Sequence, residues 1–212
     1  MPGVGIRPRD RILRVADDLF YSRGLRAVGV DEIVAKSEAA KASLYAHFPT
    51  KDDLIAGYLR QRSDDWRAHL EGELARLGGS PRRRLEQVFD VLAAGCAAAG
   101  FRGCPFINAA VEFPNPAHPA RVIGAEHRRW VRELLGRLSR EAQLRAPEIL
   151  ADQLALIYDG AMVGTQLDGE STPAHRARAA ARALIAAAAD GVPRRQHKAR
   201  PGSSNPKRRA SP

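Results

Sequence analysis

Apolar residues recur at helical spacing along most of the chain between residues 8 and 191, and the alternation typical of β-strands is absent. The first predicted helix has one apolar face, formed by Ile12, Ala16, Leu19 and Phe20. Gly24 follows it as a stop signal. Later segments keep the same period and are separated by breaks such as Gly78-Gly79-Ser80-Pro81. The pattern therefore predicts an all-α fold of about nine helices.

Two short helices are predicted after the first, and a much longer helix follows them. Val30–Ala35 begins after Gly29, its expected N-cap, with Glu32 reaching back to the N-cap amide. Ala42–Phe48 forms the second short helix. Thr50-Lys51-Asp52-Asp53 is typical of a capping box and begins the long helix.

The two short helices have the spacing of a helix-turn-helix, in which one helix supports a second that enters the DNA major groove. Ile33 and Val34 are expected to bury the first helix. Leu44 and Phe48 lie one turn apart and are expected to anchor the second helix on the core. The remaining side chains of the second helix then face outward. The alternative interpretation is an ordinary helical hairpin with an aromatic anchor.

The same stretch closely resembles the TetR family of repressors. The matching residues are Ile12, Leu19, Phe20, Gly24, Val30, Ile33, Leu44, Tyr45, His47, Phe48, Pro49, Lys51 and Leu54. The resemblance implies a recognition helix at residues 42–48, with Ala40, Ala42 and Ser43 at base edges, Lys41 on a base or phosphate, and Tyr45, His47 and Lys51 on phosphates. The sequence departs from the family at the turn, where Glu38-Ala39 replaces the usual Gly-Val. Gly29 likewise replaces the usual Ser or Thr.

The resemblance also implies a second domain that holds a ligand and dimerises through its last two helices, near residues 147–167 and 173–190. Small residues in both helices allow close approach, although alanine richness also follows from helix propensity alone. The ligand candidates combine apolar and aromatic side chains with a few polar ones, as a pocket wall requires, and plain core packing is the alternative for each. They are Trp66, Phe106, Asn108, His127, Trp130, Tyr158 and Met162. The composition there is not strongly acidic, which favours a neutral or anionic, partly aromatic ligand.

The net charge of +10 is concentrated at one end of the chain. Residues 193–212 contain seven basic residues and no acidic residue, whereas residues 1–60 contain ten basic and eight acidic residues. Bulk charge therefore does not identify the DNA-binding part, and the tail alone would bind any polyanion. We expect a DNA-binding domain at 1–52, a ligand-binding and dimerisation domain at 53–191, and a disordered basic tail at 192–212.

Several classes of function find no support in the sequence. No spacing is typical of a nucleophile elbow, a phosphate loop or a metal site, so we predict neither an enzyme nor a cofactor. Cys96 and Cys104 flank a turn and would form a redox pair only if their α-carbons lay within ~7 Å, and a buried cysteine is more often a small apolar residue. No apolar run reaches the ~20 residues of a membrane span. The N-terminus also lacks a secretory signal, which favours the cytoplasm.

Two functions from different classes remain open. The first is a homodimeric transcriptional regulator, a repressor that an unknown small-molecule effector releases from a palindromic operator in double-stranded DNA. The second is a small-molecule-binding helical protein that touches nucleic acid only nonspecifically, through its basic tail. Substitution of Lys41 or Tyr45 separates them, because only the first predicts a loss of sequence-specific DNA binding.

Overall fold

A computed structural model describes residues 7–190, and these residues form nine α-helices. The helices are α1 Pro8–Arg23, α2 Val30–Ser37, α3 Lys41–His47, α4 Lys51–Leu77, α5 Pro81–Cys96, α6 Pro105–Glu112, α7 Pro119–Glu141, α8 Pro147–Asp168 and α9 Thr172–Ala189. The all-α prediction is confirmed. The predicted basic tail at 192–212 lies outside the described residues.

Local signals in the sequence fix the ends of several helices. Thr50 and Asp53 form the expected capping box, because the Thr50 hydroxyl accepts from the Asp53 amide at 3.1 Å and the Asp53 carboxylate accepts from the Thr50 amide at 3.0 Å. Ser80 caps α5 by accepting from the Arg83 amide at 3.3 Å. Gly169 ends α8 in the left-handed conformation, with φ of 72°, which glycine adopts without steric cost.

Two details of the short helices differ from expectation. Glu32 does not reach back to the N-cap of α2, because its carboxylate is bound by Arg23 at 2.6 Å and Lys36 at 3.0 Å. The second short helix begins at Lys41 and ends at His47, so Phe48 is its C-cap rather than its last helical residue. The first difference reflects ion pairs that replace the cap, and the second reflects the non-helical backbone of Phe48, with φ of −136° and ψ of 87°.

The buried residues form two clusters. One cluster joins the second half of α4 to α5, α7, α8 and α9. The other joins α1, α2, α3 and the start of α4 to α6 and the start of α7, through Phe106, Ala109 and Ile123. The N-terminal helices therefore share one core with α6.

One face of α8 carries apolar side chains that the chain leaves exposed. They are Ile149, Leu156, Val163 and Leu167. They recur at helical spacing on α8. Gly160 lies between Leu156 and Val163 in the sequence, and an added Cβ there would meet no atom within 4 Å. An apolar stripe of this kind is the usual mark of a surface that another protein covers.

Candidate functional site

Helix α3 is held on its inner side and free on its outer side. Leu44 is fully buried and Phe48 is 4% exposed. The side chains predicted to meet DNA lie at the surface of α3 and its flanks, with Ser43 half-buried and Tyr45 42% exposed. The other exposed members are Ala40, Lys41, Ala42 and His47.

The turn between α2 and α3 closes without glycine. Glu38 adopts the left-handed conformation with φ of 52° and ψ of 29°, and Ala39 is buried behind it. A left-handed backbone costs an L-residue about 1–2 kcal/mol, so the helix-turn-helix keeps its geometry against a local strain at Glu38. The Glu38 side chain is exposed and places a negative charge at the turn between the two helices.

Lys41 is paired within the protein. Its Nζ lies 2.7 Å from Oδ1 of Asp31 on α2, and this partner raises the pKa of Lys41. Both side chains are largely exposed, so the ion pair is screened by solvent and is easily exchanged. A phosphate approaching α3 would therefore compete with Asp31 for the same ammonium group.

The DNA contacts expected for α3 from the sequence predict that replacing Asp31 by asparagine raises the affinity for DNA about threefold, because Lys41 is released and a negative charge near the phosphates is removed. The slope of log affinity against log salt should steepen by about 1 if Lys41 gains a full phosphate contact. Fluorescence anisotropy at several salt concentrations measures both quantities. In the Lys41→Ala background the same substitution should give a smaller gain, and an equal gain would show that Asp31 acts by charge alone.

Lys51 stands at the first turn of α4 but does not point freely into solvent. Its Nζ donates to the Arg26 carbonyl oxygen at 3.3 Å, and partial burial lowers the pKa of Lys51. Lys51 therefore braces the α1–α2 connection in this structure. A phosphate contact would use the same ammonium group.

Glu112, the last residue of α6, holds the same connection from another side. Its carboxylate accepts from the Leu25 amide at 2.9 Å and from the Arg26 amide at 2.7 Å. Sequence reasoning missed Glu112, because its partners lie 86 and 87 positions away and no local pattern marks such a pair. Glu112 links α6 directly to the backbone that leads into the helix-turn-helix.

A cavity of about 280 Å³ lies among α1, α4, α5, α6, α7 and α8. Five of the seven predicted ligand residues line it, namely Trp66, Phe106, His127, Tyr158 and Met162. Asn108 and Trp130 do not line it. Asn108 instead donates to the Arg102 carbonyl at 2.9 Å and accepts from Gln166 at 3.3 Å, and Trp130 packs beneath the Arg67 guanidinium.

His127 is a buried, neutral member of the cavity wall. Its ring stacks on Phe106 with centroids 4.0 Å apart, and its Nδ1 lies 2.9 Å from the Ser63 hydroxyl. Burial lowers the pKa of His127 to about 4, so the imidazole carries no charge at neutral pH.

Two cavity residues that the sequence did not reveal belong to helices α1 and α4. The Tyr21 hydroxyl donates to the Gly103 carbonyl at 3.0 Å and accepts from the Arg102 amide at 2.8 Å. The Arg62 guanidinium lies 4.3 Å from the Tyr21 ring and makes a two-pronged ion pair with Asp17 on α1. Side chains of α1 and α4 thus form part of the cavity wall.

Cys96 and Cys104 are both buried, free and on the cavity wall. Burial raises the pKa of each thiol to about 11. Both thiols are therefore protonated at neutral pH, which disfavours the thiolate that disulfide exchange requires.

Metal-binding clusters and membrane-spanning helices are both absent from residues 7–190. Nowhere in this part of the chain do three or more His, Cys, Asp or Glu side chains come together as a possible metal site. None of its helices has the length and apolarity to cross a bilayer.

Comparisons with known proteins agree with this arrangement. A solved structure of SCO4454, a TetR-family transcriptional regulator from Streptomyces coelicolor, superposes with a TM-score of 0.80 at 29% identity, covering 85% of this chain and 95% of that one. The transcriptional repressor Rv3405c of Mycobacterium tuberculosis is 31% identical over 130 residues, 60% of this chain and 63% of its own length. The regulator QacR of Staphylococcus aureus is 38% identical over 65 residues, 31% of this chain and 35% of its own length. The chain thus spans less than two thirds of these two relatives.

Sequence models of a single family cover both halves of the chain. The model described as "Bacterial regulatory proteins, tetR family" matches residues 12–58, which include α2 and α3. The model described as "Tetracyclin repressor-like, C-terminal domain" matches residues 81–181, which include α5 to α8. Together with the helix-turn-helix and the superposition on SCO4454, these matches establish that the chain belongs to the TetR family of bacterial transcriptional regulators.

Proposed function

We propose that this chain is a homodimeric repressor that binds a palindromic operator through α3 and leaves it when a small molecule fills the cavity. The observation that carries the proposal is the anchoring of α3. Leu44 and Phe48 hold one side of this short helix in the core, so the opposite side stands free to enter a major groove. A bound dimer represses by excluding polymerase from the same DNA.

The outer face of α3 suits phosphate contacts better than base reading. Lys41, Tyr45, His47 and Lys51 would bind phosphates and position the helix. Ala40, Ala42 and Ser43 would meet base edges, where alanine offers only apolar contact with a thymine methyl group. Sequence preference would then depend partly on DNA shape.

The dimer would form through α8 and α9. The exposed stripe of Ile149, Leu156, Val163 and Leu167 on α8 gives an apolar surface for a second copy. A two-fold axis through this surface would present two copies of α3 to successive half-sites, which is why the operator would be palindromic.

Tyr21 provides a physical route for release. Its hydroxyl joins α1 to the Arg102–Gly103 backbone at the cavity wall, so a ligand that displaces this backbone also shifts α1. Ligand binding would then favour a dimer whose two recognition helices no longer match the groove spacing.

In this proposal residues 1–52 bind DNA, and residues 53–191 bind the ligand and dimerise. The core that the N-terminal helices share with α6 connects the two parts. A regulator that binds bacterial DNA would be located in the cytoplasm. Turnover of a substrate is not part of the proposal.

Selection of the full-length protein on random double-stranded DNA at near-physiological salt tests the proposal. A version without residues 193–212 serves as the matched control for nonspecific binding by the tail. A palindrome enriched by both proteins supports the repressor. Absence of enrichment, with binding that disappears when the tail is removed, contradicts it and favours the small-molecule-binding protein with a nonspecific tail.

Lys41→Ala and Tyr45→Ala should each weaken binding to the selected operator about tenfold. Each substitution removes a phosphate contact from the outer face of α3, away from the core. Thermal unfolding should be nearly unchanged, because both side chains are exposed. Gel-shift titration measures the affinity. Unchanged affinity in both variants would mean that α3 does not bind DNA.

A further inference from the structure

The walls of the cavity are flat and aromatic. Phe106 and His127 form a stacked pair with ring planes 19° apart, and Tyr21, Trp66, Phe101 and Tyr158 complete the aromatic lining. Gly95 on α5 lies directly against Trp66, where an added Cβ would come to 3.5 Å from the indole ring. Walls of this kind favour a planar ligand, because aromatic rings gain most from offset stacking and edge contacts.

The cavity offers no free charge. Arg62 is the only Lys, Arg, Asp or Glu among its lining residues within the described part of the chain. Asp17 already binds the Arg62 guanidinium through two hydrogen bonds. His127 is neutral at pH 7, as its depressed pKa shows, and both cavity thiols are protonated. A charged ligand would lose its hydration here without gaining a counter-ion.

The size of the cavity limits the ligand further. A protein cavity of ~150 Å³ holds one benzene molecule. The volume of about 280 Å³ is therefore close to that of two fused rings, and it lies near the small end of ligand pockets, which span roughly 300–1,000 Å³.

We infer that the ligand of this cavity is an uncharged, planar aromatic molecule of about two fused rings. The inference rests on the proposed function, which makes the cavity the effector site. It narrows the expectation from the sequence, which left neutral and anionic ligands equally open.

Three probes of similar shape and different charge test the inference on the full-length protein. They are β-naphthol, which is uncharged at pH 7, the anion β-naphthoate and the cation N-methylquinolinium. Calorimetric titration should show binding of β-naphthol, with both ions at least about tenfold weaker because an unpaired charge would be buried. An ion that binds as tightly as β-naphthol overturns the inference.

Gly95→Leu and Gly95→Ala locate the binding. Leucine extends from α5 into the cavity beside Trp66 and should weaken β-naphthol binding at least about tenfold, because its side chain takes space that a second fused ring needs. Alanine adds only a Cβ at ordinary contact distance and should leave binding unchanged. Both substitutions remove a glycine from a helix and gain helix propensity, and a circular dichroism spectrum equal to that of wild type establishes that each variant is folded. Equal binding by wild type and Gly95→Leu would place the probe elsewhere and overturn the inference.

Operator binding measured on the same preparation separates the two proposals. β-Naphthol that binds in the cavity and releases labelled operator supports both. A protein that binds its operator but none of the three probes contradicts the ligand class and leaves the repressor standing. A protein that binds β-naphthol in a Gly95-dependent way but enriches no DNA sequence supports the ligand class and contradicts the repressor.

Discussion

Replacing Phe48 by alanine should lower the free energy of unfolding by about 3–5 kcal/mol, the usual cost of truncating a buried phenylalanine. Phe48 is 4% exposed, and its ring packs against α4 at Gly57. The Phe48 amide also closes α3 by donating to the Leu44 carbonyl at 2.8 Å. Urea unfolding followed by circular dichroism measures the change. Tyr45→Ala is the matched control, since this aromatic residue lies three positions from Phe48 but is 42% exposed and should change stability little.

Gly57 makes the Phe48 prediction sharper, because the two residues occupy the same space. An added Cβ at Gly57 would lie 2.9 Å from the Phe48 ring and 3.4 Å from Leu13. Gly57→Ala should therefore destabilise the wild-type protein. In the Phe48→Ala background the ring is gone, and the gain in helix propensity of about 1 kcal/mol should prevail. A stability effect of Gly57→Ala that changes sign between the two backgrounds indicates that Phe48 and Gly57 pack directly against each other. Gly57→Ala with the same effect in both backgrounds would contradict it.

The sequence predicts those features that depend on neighbours in the chain. Thr50 and Asp53 are three positions apart, so their capping box is visible as a short motif and the structure has it. Leu44 and Phe48 lie one helical turn apart, and the structure buries both. In each case, spacing along the chain determines which groups meet at a helix end or share a helix face.

Features that depend on distant partners were not predictable in this way. Glu32 had a local role available at the N-cap of α2, but Arg23 on α1 and Lys36 bind it instead. The two tryptophans Trp66 and Trp130 look alike in the sequence as apolar members of long helices. Only Trp66 borders the cavity, because the packing of α4 against α5 turns it inward. No single-sequence pattern carries that information.

The contacts between the cavity region and the N-terminal helices are likewise not visible in the sequence. Tyr21 and Arg62 come from helices assigned to DNA binding or its border, yet they line the cavity. Glu112 comes from a helix near the cavity, yet it binds backbone beside the helix-turn-helix. These polar contacts accompany the apolar core that the N-terminal helices share with α6 through Phe106 and Ala109.

Replacing Glu112 by alanine should weaken operator binding about thirtyfold. The substitution frees the Leu25 and Arg26 amides, each of which now donates to the carboxylate. Hydrogen bonds to a charged group contribute about 1.5–3 kcal/mol each. Glu112 is half-buried, so water would restore part of the lost hydrogen-bond energy. A net loss of about 2 kcal/mol in the ordering of the α1–α2 connection corresponds to roughly a thirtyfold loss of affinity.

The direction of the Glu112 effect distinguishes positioning from electrostatics. Loss of a negative charge would by itself strengthen binding to phosphates, so a weaker complex cannot result from charge. Glu112→Gln removes the same charge but keeps one carbonyl acceptor, and its affinity should lie between wild type and Glu112→Ala. Glu126→Ala, an exposed acid on α7, is the control for charge removal elsewhere and should not weaken binding. Anisotropy titrations at several salt concentrations should give the same salt slope for Glu112→Ala and wild type, because Glu112 holds backbone and no phosphate. Tighter operator binding by Glu112→Ala would mean that Glu112 affects DNA binding only through its charge. The hydrogen bond from Lys51 to the Arg26 carbonyl would then be enough to hold the α1–α2 connection.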